Sequence, residues 1–245
     1  MKKWIAFALA IAACILLLWP NPSLKTQYFH NQGKIFGTYY NIRYQSTEDL
    51  HDFILTTLQQ VDHSLSMFNS NSVISKVNRN DSVLLDSLFI TMYNEAQGIS
   101  QLSNGAFDIT VAPLVHAWGF GKNIENRSQI PTPLIDSIQE FVGYQLLSLI
   151  GNQIVKSDPR TTLDASAIAK GFACDIVANA LRKQGCENLL VDIGGEVVIL
   201  GVNDKGNPWK VGISKPKSNG EGMDNTLQEV IASTNLCMAT SGNYL

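Results

Sequence analysis

The sequence predicts a mixed α/β fold, sheets with flanking helices, behind an N-terminal membrane segment. Three observations predict it. Stretches with apolar residues three and four apart interleave with short β-branched and aromatic runs, and neither kind is gathered into a block of its own. Hydrophobic residues make up 45% of the 245 and charged residues 16%, which suits a sizeable core and excludes a disordered chain. One apolar run at the start is fenced off from everything that follows by prolines.

That run comes first in order. Lys2 and Lys3 precede unbroken apolar residues from Trp4 to Trp19, and Pro20, Asn21 and Pro22 end it. A basic start before such a run is a secretory signal or a membrane anchor. Its 16 residues fall short of the ~20 that comfortably span a bilayer. The lysines would hold the start in the cytoplasm and send the body across, to the periplasmic side of the inner membrane. Ile11-Ala12-Ala13-Cys14 resembles a lipoprotein cleavage box, although Ile15-Leu16-Leu17-Leu18-Trp19 follow where polar residues are usual. An uncleaved anchor, a lipoprotein and a cleaved signal all stay open. The division is 1–22 for this segment and 23–245 for the body.

In the body, aromatic and β-branched residues over 33–45 predict a strand. Leu50, Phe53, Ile54, Leu58, Val61 and Leu65 fall at helical spacing and predict a helix over 49–68. Asn69-Ser70-Asn71-Ser72 breaks it, and Ser72 is placed to cap a short helix through Asn78. A further helix over 84–102 ends at Ser103-Asn104-Gly105. Pro113, Gly119 and Gly121 punctuate a less regular aromatic stretch, and 133–141 predicts a short helix. Strands over 144–150 and 153–157 join at Gly151-Asn152. The clearest helix, 166–184, closes at Gly185. Strands are predicted over 188–193, 196–202, 209–214 and 227–232.

Charge and motifs exclude several functions. The net charge of −3 and pI of about 5.8, with scattered basic residues, argue against a nucleic-acid partner. After Cys14, an odd number of cysteines remains (Cys174, Cys186, Cys237) with no CxxC, and small buried thiols are the expectation. His30, His51, His63 and His116 lack zinc-binding spacing. There is no GxxxxGK[ST] and no GxSxG, and Ile124 stands where Gly119-Phe120-Gly121 would need a third glycine.

Three segments could carry chemistry. In Leu163-Asp164-Ala165-Ser166-Ala167-Ile168-Ala169-Lys170-Gly171, an Asp at a strand end meets a helix start stripped of bulk, with a cation one turn in. A ligand or another backbone could approach closely, and free N–H groups with the helix dipole favour an anion. Equally, Asp164 could only cap the helix while the small residues pack on a sheet. In Val191-Asp192-Ile193-Gly194-Gly195-Glu196, two glycines end a buried strand; they could face N–H groups to a phosphate, or simply turn the chain. Gly105-Ala106-Phe107-Asp108-Ile109-Thr110-Val111-Ala112-Pro113 sets an acid beside an aromatic. Phe36, Phe68, Phe107 and Trp118 could form a stacking surface or belong to the core.

Taken together and in order, these segments resemble the ApbE family, the FAD:protein FMN transferases. Phe36-Gly37-Thr38-Tyr39-Tyr40, Met67-Phe68-Asn69 with Ser72-Val73-Ile74-Ser75, and Trp118-Gly119-Phe120-Gly121 add to the resemblance. So do Trp209-Lys210-Val211-Gly212-Ile213 and Thr240-Ser241-Gly242-Asn243-Tyr244. It covers the chain from about Gly33 onward and implies an ApbE-like fold. The implied reaction cleaves the FAD pyrophosphate, places FMN on a Thr or Ser hydroxyl of an exported acceptor such as a redox-pump subunit, and releases AMP with Mg²⁺. By position it implies FAD contacts at Phe36 (where a Met is usual), Phe68, Ala106, Phe107, Asp108, Asp164 and Lys170. It also implies a metal ligand at the backbone carbonyl of Ala167. The family's HxxDPxTG segment, with its histidine and remaining metal ligands, would come after Leu245. The expectation is therefore an N-terminal piece, inactive alone. The alternatives are a membrane-tethered flavin-binding protein without transfer, and a hydrolase splitting FAD to FMN and AMP.

Overall fold

The computed structural model describes residues 25–120, 130–216 and 223–241. The N-terminal apolar run lies outside them, and among the described residues no helix is long and apolar enough to cross a membrane.

In chain order, β1 (Gln27–Ile35) and β2 (Thr38–Ser46) lead into α1 (His51–Leu65), α2 (Val73–Asn78) and α3 (Ser87–Leu102). Then come α4 (Ala112–Ala117), α5 (Thr132–Gln139), a 3₁₀ turn (Tyr144–Leu146), β3 (Leu147–Ile150) and β4 (Gln153–Lys156). The last elements are α6 (Ala169–Lys183), β5 (Leu189–Ile193), β6 (Glu196–Leu200), β7 (Trp209–Pro216), β8 (Met223–Ser233) and β9 (Asn235–Met238). A five-stranded antiparallel sheet runs β1-β2-β5-β6-β9, while β3-β4 and β7-β8 form separate two-stranded ribbons.

The sheet's alternation sorts its side chains. On one face Tyr40, Ile42, Tyr44, Leu189, Val191, Ile193 and Val198 meet α1 through Ile54, Leu58, Val61 and Leu65, and α6 through Ala173, Val177 and Leu181. Phe89, Met92 and Tyr93 of α3 close the same core. On the other face Leu190, Val197 and Ile199 take the indole of Trp209, whose Nε1 donates to the Leu200 carbonyl at 3.0 Å. Tyr28 meets that indole edge-on at 6.1 Å.

Most elements fall where periodicity places them, and the differences have local causes. The single strand expected over 33–45 is a hairpin: Phe36 (φ 53°) and Gly37 (φ 75°) turn the chain, and the first arm reaches back to Gln27. Two left-handed residues in a two-residue loop match the right-handed twist of the arms. The helix expected from 166 begins at Ala169, because residues 166–168 turn before the helical ladder starts. Gly194 (φ 62°) and Gly195 (φ 96°) form the two-residue loop between β5 and β6. Helix α4, with six residues, and strand β9, with four, are too short to stand out by periodicity. Ser72 caps α2 as expected, accepting from Ser75 N at 3.2 Å, and Asp86 caps α3 from Phe89 N at 2.7 Å.

A polar knot ties the first hairpin to α1. The buried Tyr44 hydroxyl lies 2.8 Å from Asn31 Oδ1 and 2.9 Å from Asp49 Oδ1, with one proton between them, and accepts from Leu50 N at 2.6 Å. Asp49 Oδ1 also accepts from Asn31 Nδ2 and His51 N. Burial works against the Asp49 charge, but the hydrogen bonds from Tyr44, Asn31 and His51 outweigh it and hold its carboxyl below the usual range. A lowered folded-state value means that Asp49's stabilisation is present above the unfolded value and disappears as pH falls through the folded one. Asp49→Ala should therefore cost about 0.5–1 kcal/mol near neutral pH, discounted for its exposure to solvent. In urea unfolding from pH 7 to pH 2, the gap to wild type should close in the acid range; a constant gap would contradict the charged knot.

Candidate functional site

Three sequence-distant segments meet where the first hairpin, the end of α1 and the start of α6 converge. They enclose a cavity of about 270 Å³ lined by Phe36, Thr38, Val61, Leu65, Ser66, Met67, Phe68, Ala165, Ser166, Ala169 and Lys170. Its walls are largely apolar. Phe36 hangs from the hairpin tip, and Phe68, 63% exposed, stands just past α1. The floor is made of alanines, and Ala165 is fully buried. The strongest charge on the lining belongs to Lys170.

That charge has a partner. Lys170 Nζ lies 2.9 Å from Glu196 Oε2, and the Glu196 side chain is 12% exposed. The contact is an ion pair without good hydrogen-bond angles, and Oε2 has no other hydrogen-bond partner. The Glu196 carbonyl accepts from Cys174 Sγ at 3.1 Å. Burial pushes the Cys174 thiol far up, so it is an inert neutral group. Gly194 lets these pieces meet: a Cβ there would come within 2.8 Å of Thr38 Cγ2 and 3.3 Å of Lys170 Cδ.

The sequence-predicted residues divide. Phe36, Phe68 and Lys170 line the cavity together. Asp164 adjoins it: its N–H donates to the Ile109 carbonyl at 2.6 Å, and its Oδ1 accepts from Ser166 N at 2.7 Å. It does not cap α6, whose N-cap position is Ile168. Ala106, Phe107 and Asp108 occupy the loop joined to this segment by that Asp164–Ile109 bond and by the Val111–Thr162 bridge. Asp108 holds the loop, accepting from Thr110 N and Oγ1 through Oδ1 and from Tyr144 N through Oδ2, each at 2.7 Å. Phe107 packs on the main core and Ala106 is exposed. Ala167 is exposed in the turn before α6. Trp118 does not line the cavity.

Two expectations change. The Gly194-Gly195 amides are not a free anion cradle, because Gly194 N donates to the Tyr39 carbonyl at 2.9 Å and Gly195 N to Asp192 Oδ1 at 3.1 Å. The small residues of 163–173 do two jobs. Ala165 and Ala173 are fully buried, whereas a Cβ on Gly171 would meet nothing within 4 Å. Cys174 and Cys186 are buried free thiols as expected, and Cys237 is free and exposed.

A larger cavity, about 660 Å³, lies on the opposite sheet face beside Arg43, Asp192, Lys205 and Trp209, and holds none of the predicted residues. Its lining mixes acids (Asp192, Asp204) with bases (Arg43, Lys205, Lys210), whereas the smaller cleft is largely apolar with one cation and gathers three of the predicted residues, so the smaller cleft is the better candidate. Burial first, then the nearby Glu196, raises the Asp192 carboxyl, while Gly195 N–H opposes them. Among the described residues, no three His, Cys, Asp or Glu side chains gather into a metal site.

The ApbE family model matches residues 36–245. The chain belongs to the ApbE family. It is 32% identical over 254 residues to the FAD:protein FMN transferase of Vibrio cholerae, covering 100% of this chain and 73% of that protein. Against the FAD:protein FMN transferase of Haemophilus influenzae it is 33% identical over 256 residues, covering 98% of this chain and 70% of that one. Among solved structures, this ApbE chain superposes on the flavin transferase ApbE of Vibrio cholerae with a TM-score of 0.77 at 33% identity, over 90% of this chain and 73% of the other. The ApbE protein of Thermotoga maritima gives 0.76 at 27% identity, over 89% and 71%.

Glu196 is the site residue that sequence reasoning missed. The available signal was its parity: Glu196 shares a strand face with Val198 and so points into the helix-covered core, where a carboxylate needs a cation. Gly171 supplies the test of open space beside the cleft in this ApbE chain. Gly171→Ala should stabilise α6 by about 0.5–1 kcal/mol in urea unfolding, the helix-propensity gain of Ala over Gly. A destabilised variant would mean that Gly171 is pressed against a neighbour.

Proposed function

We propose that the protein is an FAD:protein FMN transferase that binds the flavin of FAD in the cleft between Phe36, Phe68 and Lys170. The observation that carries the reading is this cleft, apolar on its walls with one ammonium at its polar end, in a chain of the ApbE family whose relatives above bear that name. At about 270 Å³ it is near the lower limit for a small-molecule pocket, which suits one planar ring system and not a whole dinucleotide. The phosphates and adenosine would extend past the start of α6, beside Asp164, Ser166 and Ala167.

The reaction is phosphoryl transfer. An acceptor hydroxyl oxygen forms a bond to the FMN phosphorus, the bond from that phosphorus to the bridging oxygen breaks, AMP leaves, and the hydroxyl proton passes to base or solvent. The chain's own part is to fix the ring: Phe36 and Phe68 offer faces to stack on, Lys170 offers a donor, and the buried floor excludes water. Magnesium is part of the proposal through the family resemblance, where it would neutralise charge on the phosphates. The described residues do not fit a complete site for it. Ala167 could give only a carbonyl oxygen, and Mg²⁺ takes six oxygens in near-octahedral order, so the remaining donors would have to come from outside them.

Incubation with FAD, Mg²⁺ and an acceptor peptide tests the reading. Full-length protein should yield in-gel flavin fluorescence on the peptide and an equal amount of AMP. AMP and FMN without labelled peptide would make it an FAD hydrolase, and flavin binding without AMP would make it a binding protein. We further infer that the acceptor is an exported protein such as a redox-pump subunit, and that the body sits outside the inner membrane. The support is Lys2 and Lys3 before the apolar run. Alkaline phosphatase fused to the body should be active in cells; activity only from a cytoplasmic reporter would reverse the topology.

A further inference from the structure

We propose that Glu196 is a positioning residue for the flavin, acting through Lys170, and that the clamped ammonium donates to a neutral carbonyl edge of the ring and not to a phosphate. This rests on the flavin reading of the cleft. The geometry points to it in three steps.

First, Glu196 is itself rigid. It sits on β6 next to the two-residue loop, its carbonyl engages Cys174, and its side chain is 12% exposed with Oε2 facing Lys170 Nζ at 2.9 Å. Second, the lysine stem is confined. Gly194 leaves room for Lys170 Cδ beside Thr38, and the residue lies in the first turn of α6. A free lysine loses rotamer entropy when a ligand fixes it. The clamp removes much of that cost before the ligand arrives, which is pre-organisation.

Third, the charge is already compensated. A phosphate approaching this ammonium would meet the Glu196 carboxylate just behind it, and attraction and repulsion largely cancel over that distance. A carbonyl oxygen requires only a directed N–H, which the ammonium can supply while its charge faces Glu196. Phe36, Met67 and Phe68 around the cleft favour an apolar ring over a hydrated phosphate.

The test measures FAD and riboflavin binding by calorimetry for wild type, Glu196→Gln, Lys170→Met and the double variant. Gln keeps the shape of Glu196 and removes only its charge. Glu196→Gln and Lys170→Met should each weaken both flavins by about tenfold, the loss of one charge-assisted hydrogen bond. The double variant should be no worse than Lys170→Met, because the two side chains act as one unit. Unchanged or tighter FAD binding by Glu196→Gln, or additive losses, overturns the proposal. A Lys170→Met loss seen with FAD and absent with riboflavin puts the ammonium on the phosphates and overturns it too. Wild type binding neither flavin would sink the functional reading instead, and the clamp itself is then read from Lys170 acylation by mass spectrometry. Glu196→Gln should raise that rate severalfold; an unchanged rate overturns the clamp.

Discussion

The pairing of β2 with β5 is the contact on which the rest of the structure depends. It joins Tyr40 to Ile193 and Tyr44 to Leu189, residues far apart in the sequence, and Gly194 N extends the ladder by donating to the Tyr39 carbonyl. Every part of the cleft hangs from it. The β1–β2 loop brings Phe36 and Thr38, the β5–β6 loop brings Gly194 and Glu196, and α1 and α6 pack on the face that the pairing creates. Closing a loop of such length costs entropy that no local element returns. The ladder is supported by the core on one face and by Leu190 and Ile199 under Trp209 on the other.

Electrostatics at the cleft follow from strand parity. Once Glu196 is placed on the core-facing side of β6, a carboxylate sits in low dielectric and needs a cation. The start of α6 supplies Lys170. The pair's net contribution to stability is small, since desolvation offsets much of the attraction. Its consequence is direction: one ammonium is fixed at the polar end of an apolar cleft. Asp192, one strand over and on the opposite face, is raised by burial and by the nearby Glu196 charge, against the Gly195 N–H.

Local signals explain why much of this was legible in the sequence. The helical spacing of Leu50, Ile54, Leu58, Val61 and Leu65 placed α1 within three residues at either end, and Gly185 (φ 86°) closes α6 where expected. The motif order pointed to Phe36, Phe68 and Lys170, which converge on one cavity. What stayed hidden was tertiary. Asp108 and Asp164 look like binding acids in the sequence, yet in the fold Asp108 satisfies amides of its own and a neighbouring loop, and Asp164 that of Ser166. The Gly194-Gly195 amides look available and are already paired. Glu196 opens a predicted strand, but only the register shows which face it occupies.

The first hairpin carries the clearest conflict between local preference and the fold. A left-handed conformation suits Asn, Asp or Gly in a two-residue loop, and an aromatic residue there costs of order 1 kcal/mol. Phe36 nevertheless holds φ 53° at the tip, partly buried against the main core and forming one wall of the cleft. Its packing returns some of that cost, but an Asn or Gly at the tip would avoid the strain altogether and leave the turn better satisfied. A residue that serves the turn worse than its alternatives, and stands where an aromatic face lines the cavity, is better explained by what the cavity holds than by what the hairpin needs. The same reasoning applies to Phe68, a large apolar side chain left 63% exposed on the lining of the cleft.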